Sequence, residues 1–109
     1  MPYSEVLAQR VRRALAAHPA VEEKKMFGGI AFMLAGNMSC GVMRDELMVR
    51  VGPQQYERAL ARPHARPMDF TGRPLKGLVY VGPQGHRTDA DLQEWVRRGV
   101  TFASSLPPK

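Results

Sequence analysis

Few side chains in this sequence are equipped for chemistry. There is one cysteine, Cys40, and there are three histidines, His18, His64 and His86. Nucleophilic catalysis needs a thiolate with a base in reach. Cys40 instead alternates with Met38 and Val42, a setting in which a lone cysteine is a small buried hydrophobe with a raised pKa. No two histidines have the short spacing of metal ligands, and one cysteine rules out a four-thiolate zinc site. Asp69 lies between Arg66 and Arg73, so it ionises readily and suits hydrogen bonding to its loop or to a guanidinium better than general acid catalysis. Paired glycines in Met26-Phe27-Gly28-Gly29 fit neither a G-x-G-x-x-G motif nor a P-loop. They read as a bend with Phe27 packed beneath. The expectation is a protein without catalytic residues, cofactor or metal; the third-placed alternative is a small-molecule enzyme with its site near Cys40 or Asp69.

The charges have more to say. Sixteen Lys and Arg against ten Asp and Glu give a net charge of +6, which attracts polyanions and also simply keeps a surface solvated. Arg62, Arg66, Arg73 and Lys76 fall in a proline-rich segment, and Arg87 follows the next strand and turn. Converging, they would make a polyanion or acidic-protein site with Phe70 as a stacking partner. The plainer reading, set ahead of it, pairs Arg66 or Arg73 with Asp69 and puts Phe70 in the core. No recognition helix, zinc finger or aromatic single-strand-binding motif is present.

The elements that must position these groups follow from periodicity. From Ser4, a natural N-cap, to about His18, apolar residues recur at helical steps until Pro19. Arg12, Arg13 and His18 face the negative end of that helix dipole, which explains them without a ligand. Ile30, Phe32 and Leu34, then Met38, Cys40 and Val42, then Leu47, Val49 and Val51 alternate with period two across short turns, predicting a three-stranded antiparallel meander. Lys24 to Phe27 can extend the first strand through a bulge or bend at Gly28-Gly29. The opposite face, with Ala31, Met33, Ser39, Met43, Met48 and Arg50, is not cleanly polar. That suggests cover by a helix or by a second copy of the chain, so a homodimer stays open.

Pro53 at the first helical position predicts a helix through Tyr56, Ala59 and Leu60. An ordered loop with Gly72 precedes a fourth strand at Leu78–Val81. The last helix, capped by Thr88, carries Leu92, Trp95, Val96, Gly99, Phe102, Ala103 and Leu106 at helical spacing and is expected to end at Pro107-Pro108. Gly99 implies either close backbone approach or a break into two helices. The sum is an α+β domain of order α-β-β-β-α-β-α, with helices packed on the sheet. At 109 residues it is expected to be one domain, 1–109. No apolar run reaches membrane-spanning length and no signal-like segment is present, so the expected setting is cytoplasmic.

Met26-Phe27-Gly28-Gly29-Ile30-Ala31-Phe32-Met33, the Gly36–Val42 hairpin, Leu47–Gly52, Arg66–Gly77 and the closing Trp95-Val96, Gly99 and Phe102-Ala103 occur in order. Together they resemble the N-terminal domain of the TfoX/Sxy family over about residues 5–107. The resemblance implies a compact α+β domain similar to YjbR-type and secretion-chaperone-like domains. Full-length members regulate bacterial competence genes as co-activators beside a DNA-bound transcription regulator, and carry a second, helical C-terminal domain. This sequence is expected to be the N-terminal domain standing alone, and the family supplies no catalytic residues to carry over. The expected function is a non-enzymatic protein-interaction domain, an accessory in transcription or competence regulation with a transcription regulator as partner. Its candidate surface is Arg62, Arg66, Arg73, Lys76, Arg87, Met33, Met43 and Met48. Phe27, Gly28, Gly29, Asp69, Phe70, Gly72, Trp95 and Gly99 are expected to be structural. The runner-up is weak, salt-dependent nucleic-acid binding through the Arg-rich loop.

Overall fold

Ser4 starts the first helix, α1 (Glu5–Ala14), by accepting a hydrogen bond from the Leu7 amide at 3.1 Å. Tyr3, Leu7, Ala8, Val11 and Leu15 then point inward. In this computed structural model, residues 3–18, 20–26, 28–68, 72 and 75–108 are described. The helix stops at Ala14, earlier than the predicted His18, and residues 15–17 form a turn.

Strands β1 (Val21–Met26), β2 (Gly29–Leu34), β3 (Asn37–Met43) and β4 (Glu46–Arg50) make a consecutive meander. β5 (Ala65–Pro67) and β6 (Leu78–Val81) complete a six-stranded sheet of order β1-β2-β3-β4-β6-β5. Every pair is antiparallel. The antiparallel α+β architecture is as predicted, but four expected strands are six, and the extra two lie at the edges. β1 is a separate strand, joined to β2 by a turn at Gly28, and not an extension of the first one. Its Glu22, Glu23, Lys24 and Lys25 are exposed, as befits an edge strand that pairs on one side only. β5 has three residues and ends in Pro67, which an edge tolerates.

Between β2 and β3 the register slips: Phe32 pairs with Cys40, yet Met33 pairs with Met38. Ser39 is the extra residue, and its hydroxyl donates to the Phe32 carbonyl at 2.9 Å. This bulge turns Met38 away from Cys40 and onto the face of Met33 and Met43, correcting the simple alternation.

One sheet face carries the core. Ile30, Phe32, Cys40, Val42, Leu47 and Val49 meet Val79 and Val81 of β6 beneath the helices. The long helix α3 (Asp89–Ser104) crosses β3 and β4, with α1 beside it, while the short α2 (Tyr56–Leu60) packs on β5 and β6. Thr88 caps α3, accepting from the Asp91 amide at 3.1 Å. The helix runs unbroken through Gly99, where an added Cβ would fall 2.9 Å from the Ser39 carbonyl carbon. Close approach to the bulge therefore explains this glycine. α2 begins at Tyr56, and Pro53 sits in the preceding turn, not at the first helical position.

Candidate functional site

The end of β4 and the approach to β6 are tied together by one carbonyl. Gly77 O accepts from the Val51 amide at 2.8 Å and from the Gly52 amide at 3.1 Å. Gly52 has φ +86°, and a Cβ there would stand 2.5 Å from Phe102 Cε1. Glycine thus permits both the left-handed turn and the seating of the Phe102 ring against the backbone. The Arg50 guanidinium lies over the same ring, 5.2 Å from its centroid.

Two concavities flank Phe102. One, of about 600 Å³, has Val51 and Phe102 as its apolar floor, with Arg58, Arg62, Arg97 and Arg98 around it. The smaller, of about 230 Å³, is lined by Arg50 and Lys76 with Pro53, Leu75 and Leu78. Six cations from four parts of the chain surround one aromatic ring, and among the described residues no carboxylate lines either concavity. Glu94 lies to one side, paired with Arg97 and, at 3.6 Å, with Arg98. That second distance exceeds a hydrogen bond, and Arg98 Nε is buried without a hydrogen-bond partner. The Arg98 guanidinium also lies 5.1 Å from the Trp95 ring centroid, so the buried tryptophan props it in place. Arg58 and Arg62 are exposed and form no ion pair among the described residues. One carboxylate, Glu94, serves two of these arginines, so the excess of positive charge around the apolar floor favours an anionic, partly apolar ligand.

The five cations expected to converge do not do so as a set. Arg62 and Lys76 line the two concavities. Arg66 lines neither concavity: its fork is on Glu46 at 2.6 and 3.1 Å and its guanidinium is 4.6 Å from the Tyr80 ring centroid. Arg87 sits just before the start of α3, far along the helix from Arg97. Arg73 lies outside the described residues, as do Phe27, Asp69 and Phe70, so the proposed pairing of Asp69 and the role of Phe70 lie there too. Gly28 is in the β1–β2 turn, Gly29 begins β2, and Gly72 is a positive-φ residue. Arg50, Arg58, Arg97, Arg98 and Phe102 were not singled out as site residues. The available signals were the four-residue spacing of Arg58 and Arg62 opposite Tyr56 and Ala59, and the adjacent Arg97-Arg98 pair.

On the sheet face away from the helices, Met48 and Tyr80 are buried with Met68, flanked by Met38 and Met43. Met33 and Met43 are half-buried. The Tyr80 hydroxyl donates to Met43 Sδ at 3.5 Å. Among the described residues no helix covers this face. Cys40 is on the opposite face, fully buried, and burial pushes its thiol up to about 12; a thiol so placed is a poor nucleophile. His86 is buried with Nε2 2.9 Å from the Asp45 carbonyl. Among the described residues no cluster of three or more His, Cys, Asp or Glu is arranged to hold a metal ion, and no helix is long and apolar enough to cross a membrane.

Residues 13–103 match the TfoX N-terminal domain family. No curated protein and no solved structure matches the chain.

Proposed function

The chain belongs to the TfoX N-terminal domain family, and from that premise we propose that it serves as an accessory in transcription regulation, contacting its protein partner through the cationic surface around Phe102. Domains of this family are non-catalytic regulatory modules, and the chain is a non-enzymatic domain involved in protein interaction. The observation that carries the choice of surface is the set of six cations around Phe102 without a lining carboxylate among the described residues. The methionine-bearing face is less suited: its long side chains bury one another, and its Arg66 is held by Glu46. That same pairing weakens the case for nucleic-acid binding through the Arg66 segment.

Site-specific photo-crosslinking tests the surface. A photoreactive residue at exposed Thr101, beside the larger concavity, is expected to yield an adduct with a transcription-regulatory protein. The same residue at Glu22, on the β1 edge, is expected to yield none. Adducts from Glu22 and none from Thr101 would move the interface to the other side of the molecule and overturn the reading.

A further inference from the structure

We propose that the two concavities around Phe102 form one docking groove for an acidic peptide segment that carries a bulky apolar side chain. The proposal rests on the protein-contact reading above and names the chemistry of the segment recognised.

Charge comes first. Arg58, Arg62, Arg97 and Arg98 border one concavity, Arg50 and Lys76 the other, and no carboxylate among the described residues lines either. An incoming Asp- or Glu-rich chain finds partners on both sides of Phe102. It also displaces little, since Arg58 and Arg62 form no ion pair among the described residues. Guanidinium forks suit carboxylates in particular, because two parallel N–H donors match two oxygens.

Shape and polarity select a peptide over a nucleic acid. The floor is apolar, made by Val51 and Phe102 in the larger concavity and by Pro53, Leu75 and Leu78 in the smaller. The larger space, at about 600 Å³, is ample for one bulky side chain. A single strand of nucleic acid binds by stacking bases on open aromatic faces. Here the Phe102 ring is already flanked by the Gly52 backbone and overlain by Arg50. It offers apolar surface to a side chain and no free platform to a base. The cations also come from separate elements around a depression, where an extended chain with alternating acidic and apolar residues can meet them in turn.

Fluorescence anisotropy with the full chain decides the matter. The probe is a short fluorescein-labelled peptide rich in aspartate and glutamate with a central phenylalanine-leucine pair. The comparison probes are the same peptide with two glycines at the centre and an oligothymidine of similar length. The expected result is binding of the first peptide about tenfold or more tighter than of the glycine version, with the oligothymidine weaker still. The double variant Arg58→Glu/Arg62→Glu, exposed at both positions and checked for an unchanged melting temperature, should weaken the first peptide about tenfold or more, while Arg66→Glu should leave it unchanged. Absence of binding, indifference to the central pair, preference for the oligothymidine, or indifference to the double reversal each overturns the proposal. If the peptide fails while the Thr101 crosslink persists, acidic-segment recognition falls and the protein-contact reading stands; loss of both removes both.

Discussion

Replacing Gly99 by alanine puts two well-characterised effects in opposition. In an isolated helix the change stabilises by about 1 kcal/mol, because glycine loses more backbone freedom on folding. Here the new Cβ would lie 2.9 Å from the Ser39 carbonyl carbon and closer still to its oxygen, and 3.5 Å from Val49 Cγ1. The obstructing group is backbone, fixed in β3 by the bulge, so it cannot rotate aside as a side chain would. α3 must lift from the sheet, loosening Trp95, Val96, Val100 and Ala103, all buried on the same side of the helix. Overpacking of a tight core costs about 1–3 kcal/mol, and backbone obstruction puts the cost near the top of that range. Subtracting the propensity gain leaves a net loss of about 2 kcal/mol. Urea titration followed by tryptophan fluorescence reads this directly, since Trp95 is the single tryptophan. With a urea slope of about 1.5–2 kcal/mol/M, the midpoint should fall by about 1 M. Thr101→Ala, at an exposed position of the same helix, isolates the propensity effect and should raise the midpoint slightly. An unchanged or raised midpoint for Gly99→Ala would show that propensity wins, and that α3 does not rest on Ser39.

Two further outcomes follow from local electrostatics and burial. Arg12 forks onto Glu23 at 2.7 and 2.9 Å and reaches Glu5 at 2.7 Å, so Arg12→Ala should cost about 0.5–1 kcal/mol at neutral pH, partial exposure limiting the value. The hydrogen bond from Arg12 holds the Glu23 carboxyl below its ordinary range. A depressed carboxyl stabilises above its unfolded pKa and loses that contribution as pH falls, so the gap between wild type and variant should close from about pH 5 to pH 3. A gap constant over that window in denaturant titrations would refute the pairing. Cys40, with its thiol pushed up to about 12 by burial, should resist a thiol-specific reagent in the native protein at pH 8 and react stoichiometrically in denaturant. Rapid native labelling would mean that the core over β3 is open.

The sequence made the middle of the fold plain and its margins obscure, for physical reasons. Strands β2, β3 and β4 are buried on the helix side, so Ile30, Phe32, Cys40, Val42, Leu47 and Val49 write the alternation clearly. β1 carries Glu22 to Lys25 because an edge has little to bury, which removes the signal that marks a strand. β5 is three residues with a proline, and it reads as loop until β6 is known to lie beside it. The side to which Met38 points depends on one extra residue, Ser39, which shifts a whole register. Cys40 was legible as an inert core thiol from its alternation with Val42, although Met38, read as sharing its face, lies on the other. The candidate site was legible only in part. Arg62 and Lys76 stood out by local density, but Arg58, Arg97 and Arg98 each look like ordinary helix surface. Only the docking of α2 and α3 on either side of Val51 brings them together.

Because α3 follows all six strands in the chain and also covers β3 and β4, the order of synthesis has a consequence. A ribosome releases the meander first, with Phe32, Val42 and Val49 facing water, and delivers their lid only after residue 104 has cleared the exit tunnel. During that interval the apolar side of the meander stands open to water and to other unfinished chains.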